Sequence, residues 1–346
     1  MDAKEALGAV AAGRTLTRAE AEGAMGSVMT GEATAAQLGG LLAALAVRGE
    51  TVDEIAGFAA GLRAAALAVR LRVADAVDIV GTGGSRIDPF NISTVASIVT
   101  AAAGVPVAKH GNRAASGRCG SADVLEALGV KIDLGPTAIA SCLEEAGIAF
   151  MFAPRFHPAM RHAAPVRREM GIRTIFNILG PLANPAGIKR MVLGVATPTI
   201  GEKIARVLGE LGAEHALVVH GSDGLDDITP SGPTRTWELN AGVLREGTID
   251  PAALGLPVAR AADIASGDPT ENAATTRSIL SGESGARRNA VLLNAAAALV
   301  VGGRAGDLRE GLHLAAAAID SGAATARLER FIVTSQALGA AEVATL

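Results

Sequence analysis

Asp78-Ile79-Val80-Gly81-Thr82-Gly83-Gly84-Ser85, followed by Asn91-Ile92-Ser93-Thr94 and then Lys109-His110-Gly111-Asn112-Arg113, is the stretch on which the fold turns. Its start reads as a buried strand entering a glycine-rich turn. Asn91-Ile92-Ser93-Thr94 then opens an apolar helical run over 95–103, and a second short strand over 105–108 carries Lys109, His110, Asn112 and Arg113 towards another loop. Glycines let a backbone approach an anion closely, and a helix N-terminus offers free N–H groups at a positive dipole end. Two such elements within one strand–helix–strand unit predict a ligand with more than one phosphate. The spacing excludes a Walker loop, because no lysine follows the glycines. It also excludes a dinucleotide fingerprint, because Gly81-Thr82-Gly83 runs into Gly84, Ser85 and Pro89 instead of directly into a helix. By itself Gly81-Thr82-Gly83-Gly84 is equally well a structural turn; the other two motifs make it a phosphate-handling site.

Upstream of this unit, residues 1–72 read as helices only. Thr17 with Glu20, Thr34 with Gln37 and Thr51 with Glu54 each have the spacing of a capping box before an apolar-periodic segment. Strand-like runs begin near Val77 and alternate with helical stretches, at 77–80, 105–108, 149–152, 191–194 and 217–220. Alternation of this kind predicts an α/β lobe with a largely parallel sheet flanked by helices, preceded by a small helical lobe. Residues 165–185 interrupt the alternation and could rejoin the helical lobe, leaving hinges. The expected division is therefore 1–72, joined by roughly 165–185, against 73–164 and 186–346. The apolar run 290–301, broken by Asn294 and followed by Gly302-Gly303, reads as a buried helix, and the C-terminal part as framework.

The chain has 346 residues, of which 49% are hydrophobic but only 2% aromatic, so helices rich in Ala must supply much of the core. Lys and Arg number 31 against 35 Asp and Glu, a net charge of −4 that argues against a general nucleic-acid or anionic-membrane binder. Cys119 and Cys142 lack metal-site spacing and fit a reduced compartment. With no secretory start and no span-length apolar run, the expectation is a soluble, cytoplasmic protein with no nucleic-acid or membrane partner.

The motifs together resemble the anthranilate phosphoribosyltransferases. The matching stretches run in the family order: Gly81 to Gly84, Asn91 to Thr94, Lys109 to Arg113, Gly120-Ser121-Ala122-Asp123-Val124-Leu125-Glu126, Arg173-Thr174-Ile175-Phe176-Asn177 with Leu179 to Leu182, and Val219-His220-Gly221 through Asp226-Asp227. The resemblance implies an α/β fold of the nucleoside phosphorylase/phosphoribosyltransferase type: a small N-terminal α-helical domain and a larger α/β domain with a mainly parallel central sheet. It implies a hinge, a homodimer, and transfer of phosphoribose from phosphoribosyl pyrophosphate (PRPP) to the amine of anthranilate with Mg²⁺, two ions.

Carried over by position, the resemblance gives the PRPP site Gly81, Gly84, Ser85, Asn91, Ile92, Ser93 and Thr94. It adds Lys109, His110, Gly111, Asn112, Arg113, Ala114, Ala115, Ser116 and Gly117, and also Ser121, which would cap the next helix. Gly81, Asn112 and Arg167 would meet anthranilate. Ser93 would lie near one magnesium, and Asp226 and Asp227 on the other. His110 and His157 could assist with a proton or by ring packing. The chemistry is reasonable on its own terms. Mg²⁺ takes carboxylate and phosphate oxygens, the arginine fork matches a carboxylate, and positive charge at ribose C1 with a departing pyrophosphate calls for leaving-group stabilisation more than for a strong acid.

The sequence departs from the family pattern at Ser85 where Asp is usual, at Pro89 where Thr is common, at Gly117 and Cys119 where serines are frequent, and at Asp227 where Glu is usual. An atypical metal dependence is therefore expected, and a Mg²⁺ titration matching enzymes with the usual loop would contradict it. Other residues read as framework: His162, His215, His313, Cys142, Arg168, Arg173, and Trp237 as edge packing. Three further functions remain in play from sequence: a pyrimidine nucleoside phosphorylase, a divergent nucleic-acid binder, and transfer to a related amino-aromatic acid.

Overall fold

Four threonine or aspartate caps shape the N-terminal helices. Asp2, Thr17, Thr34 and Thr51 accept from the backbone N–H three residues on, and Glu5, Glu20, Gln37 and Glu54 reach back to the cap N–H. These start α1 (Ala3–Ala11), α2 (Arg18–Met29), α3 (Ala35–Arg48) and α4 (Val52–Ala64), each cap stabilising its helix by about 1 kcal/mol. Gly57 and Gly61 let α4 lie directly on α2: a Cβ on Gly57 would come within 2.7 Å of Ala21 Cβ, and one on Gly61 within 2.8 Å of Met25 Cβ. The computed structural model describes residues 1–85, 87–114 and 117–344.

The chain then alternates. In order come β1 (Val77–Gly81), α5 (Ile92–Ala102), β2 (Val107–Gly111), α6 (Ser121–Leu128), α7 (Pro136–Ala146), β3 (Ile148–Phe152), α8 (Ala153–Phe156), α9 (Ala164–Met170) and α10 (Phe176–Leu182). There follow β4 (Arg190–Gly194), α11 (Gly201–Glu210), β5 (His215–Gly221), β6 (Thr234–Asn240), β7 (Val243–Ile249), α12 (Pro269–Leu280), α13 (Ala286–Val301), α14 (Leu308–Asp320) and α15 (Ala323–Ala344). The described strands form one sheet in the order β3-β2-β1-β4-β5-β6-β7. It is parallel from β3 through β5, and β6 and β7 add on antiparallel. Winding runs outward one way from β1 and the other way from β4, so the carboxyl ends of these two neighbours flank a topological switch point, where ligands of open α/β sheets bind.

The sheet separates two apolar cores. One face packs on α5, α7, α13 and α15 through residues such as Ile79, Val95, Ile139, Leu293 and Phe331. The other packs on α11, and that core continues into α1–α4 and into Val166, Ile175, Phe176 and Leu179 of the α9–α10 stretch. The α9–α10 stretch thus shares this core with the N-terminal helices and with α11. Backbone bonds from Leu67 N to Phe156 O (2.8 Å) and from Val69 N to Pro185 O (3.1 Å) tie the connecting strands together.

Several boundaries differ from the sequence reading. The second strand is Val107–Gly111 rather than 105–108, because Val105 N closes the end of α5 on Thr100 O. Lys109 and His110 therefore lie in the strand, and only Asn112 and Arg113 in the loop. Helix α5 starts at Ile92, earlier than the 95–103 run. Trp237 is not edge packing. It is 1% exposed on an interior strand, against the bare backbone of Gly201, and β7 forms the edge.

Candidate active site

β1 ends at Gly81 and β4 at Gly194, and both glycines are needed for the same reason. A Cβ on Gly81 would strike the Asp226 carboxylate, and one on Gly194 the Asp226 carbonyl. The loop after β1 wraps this aspartate: Gly83 N donates to Asp226 Oδ2 at 2.7 Å, and Thr82 N to Gly194 O at 2.9 Å. Gly83 and Gly84 have φ of +71° and +77°, a left-handed conformation that costs a side chain about 1–2 kcal/mol. Ser85 Oγ turns back to Ile87 O at 2.6 Å.

Asn91 stands at the N-cap of α5 without capping it. Its amide is held sideways, donating to Cys119 O (2.9 Å) and accepting from Asn272 Nδ2 (2.9 Å). The first turn of α5 thus faces the glycine loop with its dipole end. Thr94 Oγ1, buried there, has no hydrogen-bond partner among the described residues. Lys109 crosses beneath from β2. Its ammonium donates to Ile79 O and, at 3.2 Å, to Ser93 Oγ. Burial lowers the Lys109 pKa, while Asp78 and Asp227 pull it back up.

Below the loop, Asp78 is fully buried and accepts from Asn184 Nδ2 at 2.8 Å, and Asn184 also donates to Ala108 O at 3.0 Å. Burial raises the Asp78 carboxyl to about 6 against the pull of Lys109. The His110 and His157 rings lie against each other, tilted by 54°, with centroids 5.1 Å apart. Burial holds His110 down to about 3 and His157 to about 4. Both rings are therefore neutral at pH 7, and His110 Nε2 is buried without a partner among the described residues.

In the loop after β2, Arg113 is already engaged by carboxylates. It pairs with Asp123 and Glu126, each at 2.9 Å, over the Phe152 ring. Asp123 closes the loop by accepting from Ala114 N (3.0 Å) and Gly120 N (2.9 Å). Ala115 and Ser116 lie outside the described residues. Ser121 does not cap α6. Gly120 occupies that position, and Ser121, the first helical residue, donates to Asn112 O at 3.1 Å. Gly117 fits only because it lacks a Cβ, which would come within 2.7 Å of Asp88 Oδ1.

Asp226 and Asp227 follow β5. Burial raises both carboxyls, and Asp227 is raised further by Asp226 beside it. A cation would relieve both. Asp226 and Asp227 offer carboxylate oxygens and Ser93 a hydroxyl at separate points of one cavity wall, oxygen-only donors of the kind Mg²⁺ takes together with phosphate and water. Among the described residues no group of three or more His, Cys, Asp or Glu could hold a metal. The donor set fits an ion completed by a phosphate ligand. The turn is fixed from the framework: Asn294 of α13 accepts from Ile228 N (3.0 Å) and donates to Ile228 O (2.9 Å).

These elements enclose one cavity of about 700 Å³, lined by the glycine loop, Asn91 to Thr94, Lys109 to Ala114, Gly117, Ser121, Asp226 and Asp227. Arg167 and His157 are not in its wall. Arg167 lies over the Phe176 ring at 5.0 Å, and no described carboxylate is within ion-pair distance. Arg173 and Asn177, which the sequence reading passed over, do line it. Asn272 and Asn294 hold parts of the wall from behind and were also missed; their only signal in the sequence is a polar residue inside a helix. A second groove of about 460 Å³, between β5–β7 and α13–α14, is different in kind: its Glu238 is already bound to His215 and its Arg309 to Ala253 O.

Residues 4–66 match the helical bundle domain of the glycosyl transferase family, and 73–325 its a/b domain. The chain is 57% identical over 338 residues to the anthranilate phosphoribosyltransferase of Thermomicrobium roseum, covering 96% of this chain and 97% of the relative. It belongs to the anthranilate phosphoribosyltransferase family. The enzyme of that name from Bradyrhizobium diazoefficiens is 53% identical over 96% of this chain and 99% of its own. The crystal structure of anthranilate phosphoribosyltransferase from Thermus thermophilus superposes with a TM-score of 0.92 at 44% identity, covering 97% of this chain and all of that one. The Saccharomyces cerevisiae anthranilate phosphoribosyltransferase in complex with PRPP and Mg gives 0.89 at 26% identity, covering 96% and 97%. The small helical domain and larger, mostly parallel α/β domain are those of the anthranilate phosphoribosyltransferase fold.

Proposed function

We propose that this chain transfers the phosphoribosyl group of PRPP to the amine of anthranilate, giving N-(5-phosphoribosyl)anthranilate and pyrophosphate in tryptophan biosynthesis. The observation that carries it is the convergence, at the β1/β4 switch point, of the glycine loop, the α5 N-terminus, Lys109 and the Asp226-Asp227 pair on one cavity. In the reaction the C1–oxygen bond to pyrophosphate breaks, the pyrophosphate keeps the electron pair, and the amine lone pair forms the C1–nitrogen bond. The α5 N–H groups and the Lys109 ammonium are placed to take the growing negative charge. Asp226 and Asp227 would hold one Mg²⁺ and Ser93 another, which would supply further charge neutralisation.

The amine loses its proton as the new bond forms. Burial disfavours the protonated form of His110 and His157, so their role here is assistance by ring packing, and the proton passes to solvent. Asn112 and Arg167 hold the anthranilate carboxylate. Arg167 lies outside the open cavity, so its contact forms when the α9 segment closes over the acceptor. Residues 1–72 with roughly 165–185 move as one body against 73–164 and 186–346. The working unit is a cytoplasmic homodimer; among the described residues no helix is long and apolar enough to cross a membrane. The test is loss of anthranilate fluorescence with purified protein, PRPP and Mg²⁺, and with chelator and no-protein controls. Protein-dependent, metal-dependent loss supports the reading, and no loss in folded protein refutes it.

A further inference from the structure

Arg173 leaves the turn between α9 and α10, whose backbone is fixed where Thr174 N donates to Asn177 Oδ1 at 2.9 Å. Ile175 and Phe176 just beyond it are buried in the core shared with the helical lobe. The side chain itself crosses to the other lobe and lies on the glycine loop. A Cβ on Gly84 would come within 3.1 Å of Arg173 Cζ and 3.2 Å of Nη2, so the guanidinium lies directly on the bare Gly84 backbone.

Three features separate this arginine from a surface ion pair. It is exposed, and among the described residues no carboxylate lies within 4.0 Å of it, although its charge reaches Asp226. Its one hydrogen bond, Nη1 to Gly84 O, is long at 3.4 Å and uses one of five donors. Finally, it faces the same cavity as Asp226 and Asp227, on the glycine-loop side. A planar fork with unused donors beside a backbone phosphate cradle matches paired phosphoryl oxygens. The carboxylate of the acceptor is a poorer match, because the residues assigned to it, Asn112 in the loop after β2 and Arg167 on α9, are not on the glycine loop.

We infer that Arg173 is a further donor-binding residue, which grips the pyrophosphate of PRPP from the helical-lobe side, so that the leaving group bridges both lobes. This rests on the proposed transferase reading and adds one residue to its donor site. Held there, the pyrophosphate gains charge-assisted bonds as its negative charge grows, and its departure releases the lobes.

The experiment is calorimetric binding of Mg²⁺-pyrophosphate to the full chain, with steady-state kinetics, for wild type, Arg173→Ala, Arg173→Lys and, as an exposed neighbour outside the site, Arg168→Ala. Arg173→Ala is expected to weaken pyrophosphate binding and raise the PRPP KM about tenfold, equivalent to ~1.4 kcal/mol, with the anthranilate KM within about twofold. Arg173→Lys recovers part of the loss, because it keeps the charge but not the fork, and Arg168→Ala matches wild type. Pyrophosphate affinity unchanged in an Arg173→Ala variant with a wild-type unfolding midpoint overturns the inference. So does a rise confined to the anthranilate KM. If Arg173→Ala does not fold, Arg173→Lys decides by the same two readouts. If wild type binds Mg²⁺-pyrophosphate but transfers nothing, the transferase reading fails and the binding arm still decides the role of Arg173.

Discussion

Replacing Asn294 with leucine tests how a framework helix positions the acidic pair. Asn294 is fully buried and makes three hydrogen bonds: from Ile228 N (3.0 Å), to Ile228 O (2.9 Å) and to Ala290 O (2.9 Å). Leucine has nearly the same shape but no polar atoms. Ala290 O keeps its helical partner, whereas the Ile228 N–H and C=O would be left unpaired in the core. At ~1–3 kcal/mol for each orphaned group the loss is about 2–6 kcal/mol, a large part of the ~5–15 kcal/mol that holds a domain together. Urea unfolding followed by fluorescence of Trp237, the single tryptophan and a buried one, reads this directly. Since Ile228 adjoins Asp227, the folded variant should also need several-fold more Mg²⁺ for half-maximal activity. A stability loss below about 1 kcal/mol refutes the bonding argument. An unchanged Mg²⁺ curve refutes the positioning argument.

Converting Asp226 and Asp227 together to Asn should shift the Mg²⁺ dependence upward while raising stability in metal-free buffer, because two buried like charges are removed; identical Mg²⁺ curves would take the pair out of the metal site. Arg167→Ala should raise the anthranilate KM far more than the PRPP KM, and equal losses would end its carboxylate role. Gly84→Ala combines a positive φ with a collision at Arg173, so the PRPP KM should rise at least several-fold, measured with anthranilate saturating. The histidine pair sets a pH response. With folded values of about 3 and 4 against an ordinary value of about 6.5, the unfolded chain takes up protons first as pH falls, so stability present above 6.5 is lost on the way to pH 4. Asp78, raised to about 6, works the other way, favouring the fold below pH 4 and losing that contribution as pH rises towards 6. His157→Asn should therefore flatten the loss of urea midpoint between pH 6.5 and 4, and a slope equal to wild type would contradict the buried-neutral assignment.

Local signals were legible wherever a short segment determines its own structure. Thr17, Thr34 and Thr51 start helices where their capping boxes say, because cap and partner lie within one turn. Gly302 ends α13 as its position implies. The glycine loop, Asn91 to Thr94 and Lys109 read as a phosphate site only in combination, and the Asp226-Asp227 pair by itself reads equally well as a loop cap or a metal site. The polar strands β6 and β7 were largely not legible, since Arg235, Glu238, Arg245 and Glu246 on a half-exposed sheet end break the apolar alternation that marks a strand.

The helical lobe, the alternating α/β order and the chemical character of the site are written in the chain alone, because each depends on neighbours a few residues apart. Which side chains share the cavity is settled by the folding of distant segments onto one another. Gly83 and Asp226 are 143 residues apart, Asn91 and Asn272 181, and Arg173 and Gly84 89. Arg173 and Arg167 look alike in sequence, close together on one segment. Yet the turn at Thr174 delivers the first onto the glycine loop, while α9 lays the second against Phe176. No local pattern encodes that difference, because it is set by how the α9–α10 segment packs on the helical lobe and faces the switch point of the sheet.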